Sequence, residues 1–272
     1  MLFVTTFNEQ IYKKFAYKFI DTYLKTKQEI PLVCYVDDDF NYKKNTNITY
    51  IKLQDVMPEL LEFKKRHKDK LIENDDDNLK PHIFLQNAIK FSHKVFSQCH
   101  ASYGNKKFMY VDGDCVFNKK VDKEFFNDFI PDNSLLTFYG RPNWVETGII
   151  GFNPSNNETS KKFFNTYLSF YNKDKIFDLK FKTDCQALDK TRSIMKNDLN
   201  YVEIDRGDGL DGHVIYRDKK MLQYIDHQKG KRKFDHDASV KPNNDQSNII
   251  ILKLKIFLVK FKNFIFKKIN KI

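Results

Sequence analysis

Lys107-Phe108-Met109-Tyr110-Val111-Asp112-Gly113-Asp114 is the stretch on which the fold turns. Its apolar part has the length and content of a buried strand. It runs straight into two carboxylates spaced two residues apart. Period-two geometry puts both on the same side of the chain. Gly113 between them removes a side chain where a ligand must come close. In parallel sheets, ligands gather beyond the carboxyl ends of strands. Two carboxylates there can hold a divalent cation, which in turn neutralises phosphate oxygens. Asp-x-Asp alone is a weak signal, and the apolar strand ahead of it is what strengthens it.

Working outward, residues 2–6 form a short apolar run ending in Thr5-Thr6-Phe7-Asn8. Ile11, Phe15, Phe19, Ile20 and Leu24 then recur at helical spacing. Pro31-Leu32-Val33-Cys34-Tyr35-Val36 reads as a second strand, closed by Asp37-Asp38-Asp39. Strand, helix, strand is the unit of a parallel sheet. A helix is predicted from Pro81 to Ser102, with Phe84, Ala88, Phe91, Val95 and Phe96 on one face. Further strands are expected at Ser134 to Tyr139 and Thr147 to Phe152, and helices at 158–173 and 184–196. Val214 to Tyr216 and Leu222 to Ile225 read as short strands or turns. Residues 64–80, with Asp75-Asp76-Asp77, read as a charged excursion. The expected fold class is α/β, with a mixed, mainly parallel sheet flanked by helices.

The chain has 272 residues and a formal net charge of +11. That length suits one sizeable α/β domain, or one domain plus a tail. Seven lysines and no acids lie in residues 248–272, which leaves +4 for the remainder. The body is only mildly basic, unlike a nucleic-acid binder with basic residues spread over its folded face. No nucleic-acid partner is expected. The four cysteines form no close pair, so zinc-type spacing is absent and free thiols are expected. A core strand from Leu2 leaves no room for a signal peptide, which predicts a cytoplasmic protein. The domain is expected over residues 1–235, a polar linker over 236–248, and a basic amphipathic tail over 249–272. No apolar run in that tail reaches the ~20 residues that span a bilayer. A basic helix lying on an anionic membrane surface is expected, with a packing or dimerising helix as the alternative.

The second chemical element is His227-Gln228-Lys229-Gly230-Lys231-Arg232-Lys233. Imidazole can complete a metal site and favours Mn2+ over Mg2+, because nitrogen ligands suit borderline ions. Gly230 lets the backbone approach a diphosphate, and Lys233 offers a point charge to a phosphate oxygen. Taken alone, the stretch also reads as a solvated basic turn.

His-x-x-Gly-x-x-Lys after a much earlier Asp-x-Asp resembles glycosyltransferases of the GT-A fold. The resemblance is to the family-eight retaining enzymes, related to glycogenin and bacterial galactosyltransferases. It implies a GT-A (Rossmann-like) domain that moves a sugar from a nucleotide-diphosphate donor, UDP-linked, to a glycan or glycolipid acceptor. It also implies that Asp112, Asp114 and His227 bind Mn2+ (or Mg2+), and that Gly230 and Lys233 meet the diphosphate. Phe3 to Asn8 resembles the family's first strand and nucleotide-facing loop, which assigns Thr5, Thr6, Phe7 and Asn8 to the donor. Lys94 falls where such enzymes carry a donor-reaching basic residue. Glu146 to Pro154 resembles the Asn-Thr-Gly strand, and Thr183 to Asp189 the Asp-Gln segment that brings Gln186 near the sugar. The match spans residues 1–235. Glu146 replaces an asparagine, Cys185 separates Asp184 from Gln186, and Phe234-Asp235 replaces Pro-Trp, which points to a distant branch.

Asp184 and Glu146 are the candidates for positioning the sugar or acting as base or nucleophile. Asp184 also reads as a helix cap, and Glu146 also reads as a surface acid. Asp37 is a candidate for the base or ribose, against a solvated turn. Asp208, Asp211 and His213 read as a flexible loop, and Trp144 as a sugar platform or core. A metal-dependent phosphohydrolase and a non-catalytic binding module are the rival classes.

Overall fold

Side chains that alternate between two apolar cores along the first and fourth strands build the molecule in three layers. The computed structural model describes residues 1–70, 81–141, 145–155, 157–204, 218–228 and 230–234. Its strands are β1 (Leu2–Phe7), β2 (Leu32–Val36), β3 (Ile48–Lys52), β4 (Phe108–Val111), β5 (Cys115–Phe117), β6 (Leu136–Tyr139), β7 (Glu146–Phe152), β8 (Tyr201–Ile204) and β9 (Ile225–His227). Seven of them form one sheet in the order β3-β2-β1-β4-β7-β6-β8. β3, β2, β1 and β4 are mutually parallel. β7 runs antiparallel to both its neighbours, and β8 is parallel to β6. The fold is therefore mixed α/β, with a mainly parallel central sheet flanked by helices.

Odd and even side chains go to opposite faces. Val4, Phe108, Tyr110, Ile150 and Phe152 pack with Phe63, Phe96, Phe163 and Leu188 of the helices on one side. Phe3, Phe7, Met109, Val111 and Ile149 pack with Phe19, Ile20 and Phe126 on the other. Both faces of β4 are thus sealed in apolar side chains, and its C-terminal end runs into Asp112 and Asp114.

The helix starts are local. Asn87 Oδ1 accepts from Lys90 N at 3.0 Å, and Asp122 Oδ1 from Phe125 N at 2.7 Å. Such caps satisfy amide groups that a first turn leaves open. The continuous helix expected over 81–102 is two pieces, Pro81–Phe84 and Ala88–Ser102. The break falls at the Asn87 cap, which periodicity cannot see. A one-turn π segment, Tyr12–Ala16, interrupts the first helical stretch. Leu222 to Ile225 divides into the end of a helix, Lys219–Tyr224, capped by Asp218, and the start of β9.

β3 and β8 carry partly exposed side chains and β5 has only three residues, so none was anticipated. Val214 to Tyr216, the linker, the 249–272 tail, Asp75 to Asp77, Trp144, Asp208, Asp211 and His213 lie outside the described residues. No described helix is long and apolar enough to cross a membrane.

Candidate active site

β4 ends where Asp112 N donates to Gly148 O at 2.8 Å, the last bond to β7. A tight turn follows, closed by Cys115 N to Asp112 O at 2.9 Å. The chain then enters β5, which pairs antiparallel with β9 and sets Cys115 opposite His227. Gln228 N donates to Asp114 O at 2.9 Å and extends that pairing. This short ribbon carries the imidazole back to the carboxylates. His227 Nε2 lies 2.9 Å from Asp114 Oδ1 and 3.8 Å from Asp112 Oδ2.

Two carboxylates and a nitrogen suit a divalent cation. The 2.9 Å gap from Nε2 to Oδ1 is the spacing of adjacent donors on one ion; neighbours in a shell of about 2.1 Å radius stand about 3 Å apart. Asp114, Cys115 and His227 each place a ligand atom within 4.8 Å of the others'. The residues present therefore fit a bound cation.

The imidazole is only 2% exposed. Its Cε1–Nδ1 edge lies against Gly148, where an added Cβ would fall 2.1 Å from Cε1 and 2.4 Å from Nδ1. Gly113 lines the cleft described below and is also confined from the protein side. Its missing Cβ would face Ala16 at 3.3 Å and Phe7 at 3.5 Å, so the position is tight against the protein itself.

Lys94 reaches the turn from the Ala88–Ser102 helix. Its Nζ stands 2.7 Å from Asp112 Oδ1 and 3.2 Å from Asp184 Oδ2, and donates to Thr147 Oγ1 at 3.2 Å. Burial pushes this ammonium pKa down, but Asp112 and Asp184 outweigh it and hold it well above its ordinary value. Burial raises the Asp112 carboxyl above the usual range, against the pull of Lys94 and His227. Cys185, 3.1 Å from Thr147 Oγ1, is pushed up to about 12 by burial and by Asp184. It stays a thiol at neutral pH, without the thiolate a nucleophile needs.

A cleft of about 520 Å³ opens beside these groups. Thr6, Phe7, Asn8, Asp37, Lys94, Asp112, Gly113, Asp114 and Lys233 all line it. Thr5 does not: it is fully buried, because alternation along β1 turns it away from Thr6. Gln186 also looks elsewhere, its Oε1 accepting from Phe181 N at 3.0 Å. Gly230 and Lys233 sit in one 3-10 turn, Gly230–Phe234.

Glu146 is neither a surface acid nor a cleft residue. It is 2% exposed, with Oε2 3.2 Å from Arg141 Nη1 and Oε1 accepting from Gly148 N at 3.0 Å. Asp184 is equally buried and is not the helix cap. That role belongs to Thr183, whose hydroxyl accepts from Gln186 N at 3.3 Å. Sequence reasoning missed Gly148, Arg141, Thr147, Lys64 and His93. Only Gly148 had a signal: a glycine inside a buried strand marks close approach of another group.

Asp37 is held rather than solvated. Its Oδ2 accepts from Lys64 Nζ at 2.8 Å and lies 3.1 Å from His93 Nε2. Burial pushes the carboxyl up, but His93 and Lys64 prevail and hold it well below the usual range. A depressed pKa contributes stability that is complete above the unfolded value of about 3.9 and is lost as pH falls toward the folded one. Asp37→Asn is expected to cost about 1–2 kcal/mol at pH 7. Urea midpoints of this variant and the unaltered chain should draw together at pH 3.5. An equal gap at both pH values rules out the ion pair as the cause.

No protein-family model and no curated protein sequence matches the chain. Solved structures do resemble it. Mouse xyloside xylosyltransferase 1 aligns over 88% of this chain and 95% of its own, with TM-score 0.48 and 9% identity. An active-site mutant of LgtC aligns over 74% and 72%, with TM-score 0.43 and 11% identity. A glycosyltransferase involved in glycosylation of the PBCV-1 major capsid aligns over 86% and 97%, with TM-score 0.39 and 12% identity.

Proposed function

We propose that the chain is a glycosyltransferase that moves a sugar from a nucleotide-diphosphate donor, UDP-linked, to a glycan or glycolipid acceptor. The observation that supports this most is the meeting of Asp112, Asp114 and His227 at the mouth of β4, with both aspartates on the wall of a cleft that Lys94 and Lys233 also line. Asp112, Asp114 and His227 would hold Mn2+ (or Mg2+), which supplies positive charge to a departing diphosphate. Lys233 offers a second cation to the same phosphates. Asp184 keeps Lys94 charged and fixed, so that the ammonium stands at the cleft wall without collapsing onto Asp112 alone. Asp184 and Glu146 act here as positioning groups: at such burial neither carboxylate reaches an acceptor hydroxyl. Retention of configuration is part of the proposal. So is contact of the 249–272 tail with an anionic membrane surface.

A panel of nucleotide sugars with and without Mn2+ tests the reading. One donor should raise the melting temperature only when metal is present, by the mass-action stabilisation of a bound ligand. With an acceptor, that donor should yield a glycoside of unchanged anomeric configuration, read by proton NMR. A chain that hydrolyses simple phosphomonoesters and ignores nucleotide sugars belongs instead to the phosphohydrolases.

A further inference from the structure

β9 sends adjacent side chains to opposite sides. His227 goes to the carboxylates, and Asp226 goes the other way, into complete burial. Its Oδ2 is 2.5 Å from Arg232 Nη2, and its Oδ1 is buried with no hydrogen-bond partner. Among the described residues Arg232 is the cation paired with it, and a buried carboxylate depends heavily on such a partner. Arg232 lies in the 3-10 turn that also contains Lys233, and that turn doubles back from β9 to the cleft wall. Two weaker contacts flank the pair. Lys18 Nζ donates to Lys233 O at 3.1 Å, and Phe234 meets the Phe15 ring edge-on at 6.1 Å between centroids.

We propose that the Asp226–Arg232 ion pair is a latch that holds the Gly230–Phe234 turn against β9 and thereby places Lys233 in the diphosphate cleft. Asp226 and Arg232 are positioning residues, and Lys233 is the group they present. The inference rests on the diphosphate role proposed above for Lys233. It adds that this role is conditional on a buried charge one residue from the metal-facing histidine. The latch ties the phosphate grip to the same short strand that delivers His227, so the metal-facing imidazole and the Lys233 ammonium are set from one edge.

The experiment titrates UDP into the full chain at saturating Mn2+ by calorimetry. Asp226→Asn and Arg232→Met should each weaken UDP binding about ten-fold, as Lys233→Met does, and the Arg232→Met/Lys233→Met double variant should be no weaker than Lys233→Met alone. Arg232→Lys, which keeps one charge on Asp226, should restore most of the affinity. Mn2+ affinity should hold, while kcat at saturating donor falls alongside UDP affinity in Lys233→Met and both latch variants, because Lys233 also faces the departing diphosphate. Arg232→Met changes a part-exposed residue and decides the matter if Asp226→Asn does not fold. If Lys233→Met weakens UDP but the latch variants bind like the unaltered chain, or their effects multiply with that of Lys233→Met, the latch is overturned and the diphosphate role stands. If Lys233→Met itself leaves UDP affinity unchanged, both fall.

Discussion

Asp114→Asn is expected to lower turnover by about 10³-fold, a barrier increase of about 4 kcal/mol, and to abolish the metal-dependent rise in melting temperature. The amide keeps the shape of the side chain and its place 2.9 Å from His227 Nε2, so the turn and the β5–β9 ribbon persist. What disappears is one anionic ligand. Without metal the variant should be no less stable than the unaltered chain. Asp112 is already raised by burial, and Asp114 adds to that strain as a neighbouring negative charge. Removing that charge relieves a repulsion which only a cation relieves in the working protein. This is the usual exchange of stability for function at a charged site. Melting curves of both proteins, with and without Mn2+, read both halves. A variant that keeps the metal-dependent shift and its turnover removes Asp114 from the site.

Gly148→Ala is the second large effect, and it acts without touching a ligand. Its methyl would stand 2.1 Å from His227 Cε1 and 2.4 Å from Nδ1, inside any allowed contact. The backbone here has little freedom, because Asp112 N is bonded to Gly148 O and Gly148 N to Glu146 Oε1. The imidazole must therefore leave its place over Gly148, and Nε2 leaves Asp114 with it. Metal affinity is expected to fall by about 100-fold, the upper end for disturbing the support of a metal-binding histidine. Overpacking should cost a further 1–3 kcal/mol, roughly, of stability. Gly151→Ala is the matched comparison. Its methyl would meet Ile130 at 2.5 Å, in the core and away from the carboxylates. That variant should lose stability and keep its metal affinity, measured by Mn2+ titration of each. Equal metal affinity in both glycine variants means that His227 does not depend on the surface of β7.

Much of the layout was legible before any coordinates. β1, β2 and β4 announce themselves as apolar runs, and the helices at 158–172 and 184–194 by spacing. The weaker elements were not. β3 and β8 sit at the sheet's two edges with most of their side chains only partly buried, so alternation is blurred. β5 and β9 are too short to have a period at all. Yet these two decide the site, since their pairing brings His227 to Asp114.

The roles divided in the same way. Lys94 could be placed on a helix before the carboxylates, but its bridge between Asp112 and Asp184 could not. Glu146 and Asp184 stood out as acids near a presumed sugar. In the structure both are buried, Glu146 beside Arg141 and Asp184 beside Lys94, a pairing that no local pattern announces.

What the sequence determined by itself is what neighbours along the chain decide: the strand that ends at Asp112 and the alternation of strand and helix. These follow from steric and hydrogen-bonding preferences that act over a few residues. Tertiary structure alone decided that β7 runs antiparallel, that His227 faces the aspartates while Asp226 faces Arg232, and that Lys94 stays charged in a buried setting. Those outcomes depend on which distant segments share an edge and in what register. A one-residue slip in β9 would exchange its two faces, and a charge energy in a low-dielectric interior is fixed by separations that exist only after the chain has packed.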